Sequence, residues 1–217
     1  MTVSDRKTPR ERYRAEVRAE IKERAWGQIA GAGASALSLN AIAKQIGMSG
    51  PALYRYYASR DELITELIKD AYRSLADALR AAAAGGADVA GLARALRDWA
   101  LQDPQRYFLI YGTPVPGYHA PEETTGITSE MMATLLDAFM ALPGDSLATP
   151  FDAHLQDHRD WAGNHPAHPA ALHRTLAFWT RLHGVLSLEL AGHFTGMGFD
   201  PGQLFAAEVD ALLAHRD

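Results

Sequence analysis

The most pointed chemistry in the chain belongs to Arg55, set between Tyr54 and Tyr56 in the segment SGPALYRYY. A guanidinium offers a planar fork of donors that matches guanine O6 and N7 in a major groove, a contact worth ~1–3 kcal/mol of discrimination. Tyr54, Tyr56, Ser38 and Arg60 suit phosphate oxygens, which set the register of a duplex without reading it. The unpaired N–H groups at the helix start beside Arg60 also favour an anion. Ser49, Gly50 and Ala52 complete the expected surface, although Gly50 and Ala52 bring little or no polar side chain to a base edge.

Such residues need a rigid mount, and the flanking sequence predicts one. Thr8-Pro9-Arg10-Glu11 is a capping box with proline in the first turn, and Tyr13, Val17, Ile21, Ala25 and Ile29 follow at helical spacing up to Gly31–Gly33. Ser38 caps a short helix with Leu39, Ile42, Ala43 and Ile46 on its apolar face, and Gly47 supplies the left-handed residue that ends it. Ser49 caps a third helix, tolerant of Pro51 in its first turn and expected to run through Tyr57. Ile42, Ile46 and Leu53 are spaced to pack this pair on the first helix, with Tyr57 in the core register. Two short helices joined by Gly47-Met48-Ser49 meet the requirements of a helix-turn-helix over residues 38–57. Ser59-Arg60-Asp61-Glu62 is a second capping box, opening a long helix that ends at Gly85-Gly86 with Leu63, Leu67, Ala71, Leu75 and Leu79 inward.

A net charge of −5 argues against nucleic acid until the chain is divided near residue 62. Residues 1–62 hold eleven Lys and Arg against seven Asp and Glu, net +4, while residues 63–217 hold ten against nineteen, net −9. A basic head on an acidic body places one end on phosphate and keeps the other off it. Arg6, Lys7, Arg10, Arg12 and Arg14 are either a solvated tail or an arm along phosphates or into a minor groove. The charged N-terminus lacks the apolar stretch of a signal peptide, no apolar run is long enough for a membrane span, and there is no cysteine, so a cytoplasmic protein is expected.

Helical periods continue beyond Gly86 and strand patterns are absent, so the expected fold class is all-α. The stretch at 112–126 is rich in Pro and Gly and too long for an idle connector, which suggests a lid or pocket wall. Trp99, Tyr107, Tyr111, Met131, Phe139, Trp179 and His183 are the candidates for an apolar small-molecule pocket with one polar handle, His183 being alternatively a satisfied core histidine. His154, His158, His165, His168 and His173, with Asp152, Asp157 and Asp160, raise a metal question. No HExxH pattern or obvious second shell supports a site in 154–173, so neither metal nor other cofactor is expected.

The segment SLNAIAKQIGMSGPALYRYYASRDELI resembles the DNA-binding motif of the tetracycline-repressor (TetR) family, with Arg60 where the family usually has Lys and Tyr57 where it usually has Phe. YFLIYGTPVPGYHAPEE and FWTRLHGVLSLELAGHF resemble a TetR C-terminal subtype called the WHG domain, with Trp179, His183 and Gly184 at the positions that name it. The resemblance implies a homodimer paired through the last two helices as a four-helix bundle, with a small-molecule pocket among the intervening ones. The expected organisation is a DNA-binding domain at 1–62 and an effector-binding and dimerisation domain at 63–217. The leading expectation is a repressor of an inverted-repeat, palindromic operator, released by a small-molecule effector through the long helix from Ser59 as lever. The competing readings are an enzyme in the C-terminal domain, for which no nucleophile motif, phosphate loop or dinucleotide fingerprint is present, and a constitutive DNA binder.

Overall fold

A computed structural model of the chain describes residues 8–112, 123–143 and 149–214. Arg6, Lys7 and most of the Pro-rich stretch, residues 113–122, lie outside the described residues. The described residues are all-helical, and their contacts divide them into a first unit up to Ile68 and a second from Lys69.

In the first unit α1 (Pro9–Ala32) starts on the expected reciprocal box: Thr8 N–H donates to Glu11 Oε2 at 2.7 Å and Glu11 N–H to Thr8 Oγ1 at 3.2 Å. Its buried stripe is Val17, Ile21, Ala25 and Ile29. Tyr13, expected in that stripe, is instead 62% exposed, because the first turns of α1 border an open groove rather than core. Ser38 caps α2 (Leu39–Gln45), its Oγ accepting from Ala41 N–H at 3.3 Å. The helix ends in a Schellman turn, with Met48 N–H donating to Ala43 C=O at 2.8 Å and Gly47 at φ 66°. A Cβ at Gly47 would meet nothing within 4 Å, so the cost of a side chain there is backbone strain alone. Gly47→Ala is expected to destabilise the first unit by roughly 1 kcal/mol, read as a lowered melting temperature.

Helix α3 (Gly50–Leu53) is shorter than its sequence suggests. Past Leu53 the backbone tightens into i→i−3 bonds, Arg55 N–H to Ala52 C=O at 3.3 Å and Tyr56 N–H to Leu53 C=O at 2.8 Å. Leu53, Tyr57 and Ile42 are fully buried, whereas Ile46 is only partly so. Helix α4 (Arg60–Ala84) is 25 residues long, roughly 38 Å at 1.5 Å per residue. Its cap differs in detail from a closed box. Ser59 Oγ accepts from Glu62 N–H at 3.1 Å, but the Glu62 carboxylate reaches past Ser59 to Ala58 N–H at 2.6 Å.

Leu75 and Leu79 of α4 belong to the second unit's core with α5 (Val89–Gln102), α6 (Pro104–Tyr111), α7 (Glu123–Met140), α8 (Pro150–Asp157), α9 (Pro169–Leu190) and α10 (Pro201–Leu213). Four of these helices carry proline at their first position, where the missing N–H costs nothing. Helix α7 begins at Glu123, so residues 123–126, read from sequence as irregular, form its first turn. Arg97 of α5 forks onto Glu189 of α9, one arm running from Nη2 to Oε1 at 2.8 Å. Within the unit α9 packs on α7, α8 and α10, burying Leu172, Phe178, Leu182 and Leu186.

Candidate functional site

The helix-turn-helix of the first unit rests on three long-range braces. Arg18 of α1 donates to the Tyr56 carbonyl at 3.0 Å, lies over the Tyr57 ring at 4.4 Å and pairs with Glu66 at 3.4 Å. Gln28 Oε1 accepts from Ser38 N–H at 2.9 Å, fixing the start of α2. Arg60 Nη2 donates to the Ala34 carbonyl at 2.8 Å and Nη1 lies 3.6 Å from Asp61, so this guanidinium ties α4 to the 3-10 turn Ala34–Ala36. These contacts engage part of the fork of Arg60, the residue that the sequence assigns to phosphate oxygens.

On this mount Tyr54 is 46% exposed, and Ser49 and Arg55 are exposed as well. Gly50, Ala52 and Tyr56 are half-buried. Ser49 occupies the N-cap position of α3 but its hydroxyl makes no capping bond, while the Ser38 hydroxyl is taken up by its cap. The Arg55 side chain makes no hydrogen bond or ion pair with the described residues. Beside it opens a groove of about 410 Å³ lined by Arg10, Tyr13 and Arg14 of α1 and by Met48, Ala52, Arg55 and Tyr56. Sequence spacing had no means of placing α1's first turns beside the end of α3, since the two are about forty residues apart along the chain.

In the second unit the pocket candidates separate into a ring cluster and a remainder. Tyr111 packs on His183 at 4.2 Å between centroids, Trp179 on His183 at 4.1 Å, and Tyr107 on Tyr111 at 5.3 Å and on Trp99 at 6.5 Å. Phe139 instead meets Phe178 edge-on at 5.6 Å, and Met131 is buried in the same core. The Tyr107 hydroxyl lies 3.0 Å from His183 Nδ1 and 2.8 Å from Ser187 Oγ, and it donates toward the His183 carbonyl at 3.2 Å. Trp99 Nε1–H donates to Ser74 Oγ at 2.8 Å.

The other ends of two rings are left over. His183 Nε2 and the Tyr111 hydroxyl are buried and have no hydrogen-bond partner among the described residues. Burial lowers the His183 pKa to about 3, so the imidazole is neutral at physiological pH. Burial likewise raises the Tyr111 phenol well above its ordinary value, with Tyr72 and Tyr107 adding to the effect. This corner of the unit therefore presents hydrogen-bonding atoms without charge.

The histidine-rich stretch is taken up locally. His173 Nδ1 meets Asp152 at 2.8 Å, His165 Nε2 meets Asp137 at 3.1 Å, His168 caps α9, and His154 stacks on His158 at 4.0 Å. Among the described residues no three His, Cys, Asp or Glu side chains gather to hold a metal ion, and no helix is long and apolar enough to cross a membrane.

Comparison with known proteins bears on both units. Residues 21–67 match the family described as bacterial regulatory proteins, tetR family, and residues 89–212 match the tetracyclin repressor-like C-terminal domain. The HTH-type transcriptional regulator Rv1816 of Mycobacterium tuberculosis strain H37Rv is 36% identical over 217 residues, covering 93% of this chain and 92% of its own. The HTH-type transcriptional regulator Mb1846 of Mycobacterium bovis matches to the same extent, at 36% identity over 93% of this chain and 92% of its own. The crystal structure of the regulatory protein SCO4313 superposes with a TM-score of 0.90 at 70% identity, over 95% of this chain and 99% of that one. A protein of unknown function from Rhodococcus sp. RHA1 shares the fold, with a TM-score of 0.66 at 20% identity over 98% and 97% of the two chains.

Proposed function

The chain belongs to the tetracycline-repressor family of helix-turn-helix transcriptional regulators, and on that premise we propose that it is a dimeric repressor of an inverted-repeat operator, released by a small uncharged effector. The observation that carries the reading half is Arg55, exposed and with no side-chain partner among the described residues, on a helix-turn-helix whose inner residues Ile42, Leu53 and Tyr57 are fully buried. The rigid mount spares the backbone an ordering cost, so meeting a base edge costs only the side chain's own rotamer freedom, about 0.5–1.5 kcal/mol. In this division of labour residues 1–62 bind DNA, through Ser38, Ser49, Gly50, Ala52, Tyr54, Arg55, Tyr56 and Arg60, and residues 63–217 sense and dimerise.

The dimer reading is supported by the outward face of the last two helices. Thr180, Arg181, Gly184 and Leu188 of α9 and Ala206, Ala207 and Ala211 of α10 are exposed, Leu188 at 45%, and small side chains permit close approach of a second helix pair. The effector reading is supported by His183 Nε2 and the Tyr111 hydroxyl, since a buried unpaired polar atom costs ~1–3 kcal/mol that a ligand hydroxyl or carbonyl recovers. Both side chains are neutral, which favours an apolar or aromatic compound with one hydrogen-bonding group over a carboxylate or an amine. Coupling is assigned to α4, which contributes to both units and has no internal glycine or proline.

Footprinting on the DNA upstream of the chain's own gene tests this. Two half-sites are expected about one helical turn apart. A compound that stabilises the protein thermally should weaken operator binding, and operator DNA should weaken the compound by the same factor. Saturating compound that leaves operator affinity unchanged would rule out induction.

A further inference from the structure

We propose that the groove between the first turns of α1 and the end of α3 seats a DNA backbone phosphate, with Arg10 and Arg14 as its cations, so that α1 is itself a DNA-contacting element. The inference rests on the regulator reading above and selects Arg10 and Arg14 from the five basic residues that the sequence left between a solvated tail and an arm on DNA, giving them one groove and one ligand. Three guanidiniums, those of Arg10, Arg14 and Arg55, line one open groove of about 410 Å³. None of the three pairs with a carboxylate among the described residues, whereas Arg18 and Arg60 of the same unit both do. Glu11, the acid of the same first turn, bonds the N–H and hydroxyl of Thr8 and forms no pair with Arg10 or Arg14.

Three like charges around one groove repel each other, and none of the three is in an ion pair among the described residues; a phosphodiester would supply the missing counter-charge. Arg14 lies over the Tyr56 ring at 6.0 Å, which keeps its guanidinium at the groove while leaving its donors free. Tyr13 is 62% exposed at the same place, and its hydroxyl adds a neutral donor of the kind that phosphate oxygens accept. Since Arg55 lies on the opposite wall, a phosphate held by α1 would fix the register in which Arg55 meets its base.

The test is a salt titration of affinity for two duplexes, one from the chain's own upstream region and one of mixed sequence. Neutralising one phosphate contributes a slope of about 0.9 in log affinity against log salt, which at about 0.1 M salt is roughly eightfold in affinity. Arg10→Ala and Arg14→Ala are each expected to lose about that much on both duplexes alike, and Arg14→Lys to retain most of the slope. Arg12, on the same helix but outside the groove lining, provides the control. Arg12→Ala is expected to lose less than half as much. These side chains carry no buried contact, and unchanged melting curves would show that the variants fold.

The inference is overturned if Arg10→Ala and Arg14→Ala leave affinity and slope unchanged, or if Arg12→Ala matches them, since the charge would then act diffusely and not through the groove. Failure of the wild-type chain to bind the upstream duplex more tightly than the mixed one, with the groove variants still reducing the slope on both, would instead sink the sequence-reading function and leave the phosphate site standing.

Discussion

Replacing Arg55 by alanine is expected to abolish discrimination at one base pair of each half-site, a loss of ~1–3 kcal/mol or about 5- to 150-fold between the preferred base and its competitors. The measurement is competition between the operator duplex and single-position variants of it. The variant should bind the preferred and the altered duplex with equal affinity at that one position and keep its preference everywhere else. Arg55 belongs to a wall shared with Ala52 and Tyr56, and its guanidinium has no partner among the described residues to lose, so stability should be untouched. Arg60→Ala makes a different comparison. Its guanidinium holds the Ala34 carbonyl, so its loss should lower the melting temperature of the first unit and weaken every DNA sequence together. Should Arg55→Ala weaken all sequences equally and flatten the salt slope, Arg55 would be a third phosphate cation of the α1 groove and the base reader would have to lie elsewhere on α3.

The contrast between these arginines also shows how far sequence could go. Elements set by local signals were legible: the Thr8–Glu11 box, the Ser38 cap and the Gly47 turn all form where their residues require. Each depends on atoms within about five positions along the chain, which spacing can reveal. The fate of a long side chain is decided by what the fold brings to it. Arg60 finds a carbonyl 26 positions away and Arg18 one 38 positions away, and neither partner announces itself in a pattern. Tyr13 is the converse case. It has the spacing of a core residue, but no element covers that turn, and the ring lines a groove.

The same limit explains the second unit. Trp99, Tyr107, Tyr111, Trp179 and His183 share apolar helix faces, which their spacing discloses, and they do come together. Phe139 has an equally good spacing but finds Phe178. What periodicity cannot supply is the saturation of hydrogen bonds around a ring. Sequence left His183 open between a satisfied core histidine and a polar handle, and the structure gives it one feature of each: Nδ1 is bonded to Tyr107, and Nε2 has no partner among the described residues.

That half-satisfied histidine carries the second large prediction, an acid-labile second unit. In the unfolded chain the imidazole titrates near 6.5, whereas in the folded chain burial holds it at about 3. The unfolded state therefore takes up a proton that the native state refuses, and stability contributed by the neutral ring is lost as pH falls below 6.5, continuing towards 3. At 1.36 kcal/mol per pH unit the loss at pH 5 is roughly 2 kcal/mol relative to pH 7. The measurement is a difference of differences, which isolates this one ring: denaturant unfolding at pH 7 and pH 5, wild type against His183→Gln. Glutamine keeps a polar group beside the Tyr107 hydroxyl but cannot take the proton. The variant should be less stable at pH 7 and lose roughly 2 kcal/mol less than wild type on acidification. Tyr107 and Tyr111, the ionisable neighbours in ring contact, are both shifted upward by burial and stay silent in this range. Equal acid losses in the two proteins would mean that the ring is protonated in the folded state. A charged imidazole would then face the effector, and the preference for uncharged compounds would have to be abandoned with it.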